Sequence, residues 1–115
     1  MFGLVGFMDQ VMLILDIDGF RLKSGQFIVR ELGWCTMKGE NDSQHFYSPL
    51  RYKDLCYKDR QTVKCVYRHV HGLRFEANYR EAALPQRDVA GVIQALYRGG
   101  LIAYKGGQIE KEFLI

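Results

Sequence analysis

Cysteine is scarce in this chain of 115 residues: there are three, Cys35, Cys56 and Cys65. A secreted domain held by disulfides carries more, and an even number. The count therefore points to a reducing compartment inside the cell, cytoplasmic or nuclear. Long apolar runs are missing too. The opening MFGLVGFM has no basic flank and no small-residue cleavage pattern, and Asp9 breaks it early. No stretch approaches the roughly 18 apolar residues of a membrane span, so no membrane partner is expected. The opening run reads as an apolar lead-in packed on the domain, or as the boundary of a longer chain. Strong charge is also lacking. The net charge is +3 and the pI about 8.8, which permits nucleic-acid contact without the dense patch of a dedicated binder. No repeat, linker or low-complexity tract is visible.

What is there reads as one α/β domain over residues 1–115, long enough for one core and too short for two. Val11 to Ile17 is an apolar run of the kind that forms a strand buried on both faces, with Gly19 and the stretch to Gly25 as a turn. Gln26 to Met37, rich in β-branched and aromatic residues, reads as a hairpin partner. Lys38 to Ser43 reads as a polar loop, and His45 to Ser48 as a short third strand ended by Pro49.

The period then changes. Val63, Val66, Tyr67 and Val70 fall on one face of a helix that Asp59 can cap and His71-Gly72 breaks. Pro85 opens a second helix with an apolar stripe of Val89, Val92, Ile93 and Leu96, closed by Gly99-Gly100. Leu101 to Tyr104 reads as a buried strand, and Gln108 to Leu114 as the start of a last helix. The order β-β-β-α-α-β-α predicts an antiparallel meander, plus a fourth strand brought back parallel to the first.

Chemistry concentrates on Asp16 and Asp18. Two apart on a strand, their carboxylates leave one face. Such a pair repels unless a cation lies between, and hard oxygen donors suit Mg²⁺ or Mn²⁺. The alternative is plain: Asp-x-Asp-Gly is common in turns. Leu13 to Gly19 also resembles the first strand of haloacid dehalogenase phosphatases, in which the first Asp is a nucleophile. The hairpin that follows at once departs from that family's parallel sheet, and no later Asp-Asp pair is present.

A broader resemblance is to the DnaQ-like DEDD 3′–5′ exonucleases of the ribonuclease H-like superfamily. It rests on Asp16-Ile17-Asp18, on Phe27 to Trp34 as the antiparallel second strand, and on the His71-Gly72-Leu73 step. It continues through Leu101 to Leu114, where an acid precedes Phe113-Leu114. The Lys-Gly turn before Glu-Lys also loosely resembles an uncharacterised domain of invertebrate proteins, some linked to mobile elements. The exonuclease resemblance implies a ribonuclease H-like mixed sheet with packed helices. It matches Asp16 to the first acid, Asp18 to a Glu position and Glu110 to the second-motif Asp, with Mg²⁺ or Mn²⁺ as cofactor. Such sites use two metal ions about 3.5–4 Å apart. Two of these acids have the swapped chain length, which moves a carboxylate by about 1.5 Å. The third motif, with its His and last Asp, falls beyond residue 115. The expected function is thus a nuclease-derived domain that binds nucleic acid or a protein partner without complete catalytic machinery. The alternative is an active metal-dependent 3′–5′ exonuclease using Asp16, Asp18 and Glu110.

Other polar residues add secondary candidates. Lys64, Arg68 and Lys105, with Tyr67, are candidate contacts to single-stranded nucleic acid. They belong to a run of Arg51, Lys53, Lys58, Arg60, Lys64 and Arg68 interleaved with Tyr52, Tyr57 and Tyr67, side chains that can stack on bases. A solvated helical face accounts for the same run. Lys105-Gly106-Gly107 can hold a phosphate at a helix start or form a plain turn. Cys56, Cys65, His69 and His71 are either zinc ligands or ordinary cysteines and helix-end histidines.

Overall fold

The structure is a computed structural model that describes residues 11–97 and 101–104. Its sheet holds β1 (Val11–Arg21), β2 (Phe27–Thr36), β3 (Asn41–His45) and β4 (Leu101–Tyr104), in the order β3-β2-β1-β4. Both hairpin pairs are antiparallel, and β4 runs parallel to β1. Among the described residues two α-helices pack on the sheet, α1 (Tyr57–Val66) and α2 (Val89–Leu96). The domain is therefore α/β with a mixed sheet, as the element order predicts. No described helix is long and apolar enough to cross a membrane.

β1 gives the sheet two unlike faces. Leu13, Leu15 and Ile17 are buried with Val29, Leu32 and Phe46, and with Val89 and Ile93 of α2. The alternate residues Ile14, Asp16 and Asp18 point the other way and are only half-buried. Burial on both faces, expected from the apolar run, thus does not hold for the described residues. Farther along that second face lie Phe20, Leu22 and Ile28. They are buried with Leu55, with Val63 of α1 and with Phe75. The helices therefore cover opposite faces, and α1 covers only the hairpin half of its own.

Gly19 is not the turn expected of it. β1 continues to Arg21, and its register with β2 shifts between Asp18 and Gly19, so that Arg30 is the extra residue of a bulge. A Cβ at Gly19 would lie 1.9 Å from the Ile28 carbonyl oxygen. Only glycine permits so close an approach of the two backbones. The turn itself is closed by Leu22 N–H donating to the Gln26 carbonyl and Gly25 N–H to that of Leu22, both at 2.9 Å.

β3 is displaced from its expected place at His45–Ser48. The hairpin closes early, Gly39 N–H donating to the Thr36 carbonyl at 3.0 Å, and the polar Asn41-Asp42-Ser43 run pairs with β2. On a solvated edge the backbone ladder does the pairing, so polar side chains are tolerated. Phe46 then leaves the strand to bridge Leu84. Gln86 substitutes for the missing strand neighbour. Its side-chain amide accepts from Val29 N–H at 2.9 Å and donates to the Val29 carbonyl at 2.6 Å.

The helices depart from expectation in detail. Asp59 lies inside the first turn of α1 rather than capping it, with Cys56 at the cap. It is buried and accepts the Lys23 N–H at 2.9 Å, pinning the first hairpin to the helix. Val70 is exposed because α1 widens into a π-turn over Tyr67–His71, which rotates the apolar stripe out of phase. α2 follows the predicted stripe, with Val89 and Ile93 buried and Val92 and Leu96 packed against them. Its first turn, Gln86–Asp88, is 3₁₀. Gly99-Gly100 and the predicted last helix lie outside the described residues.

Gly19→Ala is expected to cost about 3 kcal/mol or more, because the clash is with backbone. Gly33→Ala, whose Cβ would meet nothing nearer than 3.8 Å, serves as the control and should stay within about 1 kcal/mol of the parent. Urea denaturation of the two variants measures the difference.

Candidate functional site

Asp16 and Asp18 share the open half of the second sheet face. They lie mid-strand rather than at the end of β1, which runs on to Arg21. Among the described residues β4 pairs with β1 as far as Leu15↔Tyr104. Asp16 and Asp18 follow that last described pair toward the carboxyl side of the parallel strands, the side on which open α/β sheets hold ligands. Strand geometry separates their Cα atoms by about 6.5–7 Å. Across β2, Asp16 faces Gly33 and Asp18 faces Glu31. Gly33 has no side chain to fill the space beside Asp16. Glu31 adds a third carboxylate to the face, one that no motif announces. It becomes visible only through the register of β1 against β2.

The row continues onto β3. Glu31 pairs with His45, and their side chains meet at 2.9 Å between Oε2 and Nε2. The other His45 ring nitrogen is 3.5 Å from Oε1 of Glu81. That same Glu81 oxygen accepts from Arg30 Nη2 at 2.8 Å. Arg30, only 1% exposed, also donates from Nη1 to the Phe46 carbonyl at 2.6 Å and from Nε to the Arg74 carbonyl at 2.7 Å. Glu81 completes a capping box with Asn78, whose N–H it accepts at 2.9 Å. Burial would push the Glu81 carboxyl up. The hydrogen bonds from Arg30 and Asn78, with the charges of Arg30 and His45, outweigh burial and hold it below its ordinary 4.5.

His71 fixes the boundary between the acids and α1. Its Nδ1 accepts the Leu73 N–H at 3.0 Å, which leaves Nε2 as the protonated nitrogen donating to the Gly19 carbonyl at 2.8 Å. The ring also packs edge-on against Phe20 at 4.9 Å. The His-Gly step thus docks on β1 one residue beyond Asp18, and Gly72 leaves it in the left-handed region at φ 70.

Carboxylate oxygens suit Mg²⁺ or Mn²⁺. Asp16 and Asp18 supply such donors on one face, while Glu31 is engaged by His45. Among the described residues no group of three or more His, Cys, Asp or Glu is placed to hold an ion. The described residues alone therefore do not make a complete metal site. Glu110 and Lys105 lie outside the described residues. Zinc ligation by Cys56, Cys65, His69 and His71 has no geometric support either. Cys56 and Cys65 are exposed, and both His71 nitrogens are used within the fold.

Of the nucleic-acid candidates, Lys64 and Tyr67 line one groove with Tyr52, Val63, Arg74, Phe75 and Glu76. Arg68 is exposed outside that lining. Arg74 comes from beyond the basic run, and nothing short of the tertiary contact marks it.

Asp16→Asn removes one carboxylate from the open face and is expected to change stability by no more than about 0.5 kcal/mol, read by thermal melting. The Glu81 carboxylate contributes stability that is full above pH 4.5 and is lost as pH falls through its lower folded value. Glu81→Gln should cost about 1–3 kcal/mol at neutral pH and flatten the acid limb of a stability–pH profile. Compared with protein-family models, with curated proteins and with solved structures, the chain matches none.

Proposed function

We propose that this chain is an exonuclease-derived, ribonuclease H-like domain that binds nucleic acid without a complete set of catalytic acids. The observation that carries the reading is the placement of Asp16 and Asp18. They share the open half of a sheet whose meander and parallel β4 have the arrangement that the resemblance implies. Two further features support it. The His71-Gly72 step docks on β1 beside the acids, and a bulge sits next to them, a common device for aiming side chains near a site. Asp16 and Asp18 also put two carboxylates, donors that suit a hard cation, on that face.

The second reading is an active metal-dependent 3′–5′ exonuclease. What favours it is the last described pair of the sheet: Tyr104 lies beside Leu15, one residue before Asp16 on β1. Glu110 follows six residues later, a span of at most about 20 Å.

Two measurements separate them. A labelled single strand incubated with Mn²⁺ is expected to be retained at low salt and released by added salt, without shortening. Stepwise shortening that disappears in Asp16→Ala would establish the enzyme instead. Calorimetric titration with Mn²⁺, against the Asp16→Ala, Asp18→Ala double variant, reports whether the pair holds an ion. Absence of both retention and shortening, with or without the ion, defeats the nucleic-acid assignment.

A further inference from the structure

Away from the acids, a groove of about 500 Å³ opens between α1 and the segment around Phe75. Its floor is apolar, Val63 and Phe75, both buried. Tyr52 is half-buried and Tyr67 is 40% exposed, so two rings border the floor. Lys64 and Arg74 bring cations to the lining, and Glu76 a single acid.

Three features decide what kind of ligand fits. Neither the Lys64 amine nor the Arg74 guanidinium makes a side-chain hydrogen bond or ion pair to any described residue. The cations are thus available to an anion, and they outnumber the acid. Arg74 is nevertheless held in place, because its carbonyl receives the buried Arg30 at 2.7 Å. The aromatic rings beside those cations match a planar ring joined to a phosphate, as every nucleotide of a single strand presents. An acidic peptide satisfies the cations but leaves the rings without a stacking partner.

The groove also adjoins the acidic face. Phe75 of its floor packs edge-on against Phe20 at 5.5 Å. Phe20 is two residues from Asp18 on the same face of β1, about 6.5–7 Å along the strand.

We infer that this groove is a subsite for single-stranded nucleic acid, holding one base against Tyr67 and Tyr52 and its phosphate against Lys64 and Arg74. The inference rests on the nucleic-acid reading above and places the grip beside the acids rather than on them. Because stacking needs no particular base, the subsite is tolerant of sequence.

Fluorescence anisotropy with a labelled oligodeoxythymidylate of about fifteen nucleotides tests it. Tyr67→Ala is expected to weaken binding about tenfold and Tyr67→Phe to restore it. The Lys64→Ala, Arg74→Ala double variant should lower the slope of log affinity against log salt by about 0.7, one phosphate at the single-strand value. The Arg30 contact survives in that variant, since it uses a backbone oxygen, and circular dichroism verifies folding. Retained affinity in Tyr67→Ala, or equal competition by polyglutamate, would mark a general anion surface and overturn the subsite while leaving nucleic-acid binding intact. No binding by the parent protein overturns both.

Discussion

The fold is organised around a guanidinium taken out of water. Burying an unpaired charge costs several kcal/mol even after relaxation. Arg30, 1% exposed, is therefore tolerated only because each of its nitrogens has a partner. Those partners come from separate places: the chain leaving β3 at Phe46, the segment after α1 at Arg74, and the turn at Glu81. One side chain from β2 thus ties down the irregular middle of the molecule, where little regular structure exists to do so.

The same residue occupies the bulge, which joins packing to the site. By adding one residue to β2, the bulge lets Leu32 and Val29 both serve the core beneath α2 while Ile28 turns to the core beneath α1. It also sets Asp18 opposite Glu31, from which the row reaches His45 and returns through Glu81 to Arg30. The bulge residue also reaches the groove, since Arg30 donates to the carbonyl of Arg74 in its lining. Gly19 makes the close strand approach possible on the β1 side.

The two surfaces have opposite electrostatic character and lie next to each other. A polyanion is repelled by Asp16, Asp18 and Glu31 unless a cation intervenes, whereas Lys64 and Arg74 attract it. Part of that separation is already in the sequence, since Asp16 and Asp18 have no Lys or Arg before them and Arg60 to Arg74 contains no acid. Tertiary placement sets the two stretches side by side. The His71 bridge to Gly19 holds the boundary between them. Both of its ring nitrogens are engaged, which assigns it to structure rather than to ligation.

Local pattern determined much of this protein. The meander, the stripe of α2, β4 and the α/β class follow from apolar runs, Pro85 and turn residues, because those signals act over a few residues. The shared face of Asp16 and Asp18 follows from strand periodicity alone. Other features escaped that reading for identifiable reasons. β3 was displaced because an edge strand pairs through its backbone, which no polar side chain reports. Val70 misled because a π-turn changes the helical phase, and Gly19 because Asp-Gly marks turns more often than bulges. Glu31, His45, Glu81 and Arg74 carry no motif. Only strand register and the demands of one buried charge bring them together, and those are properties of residues far apart in the chain.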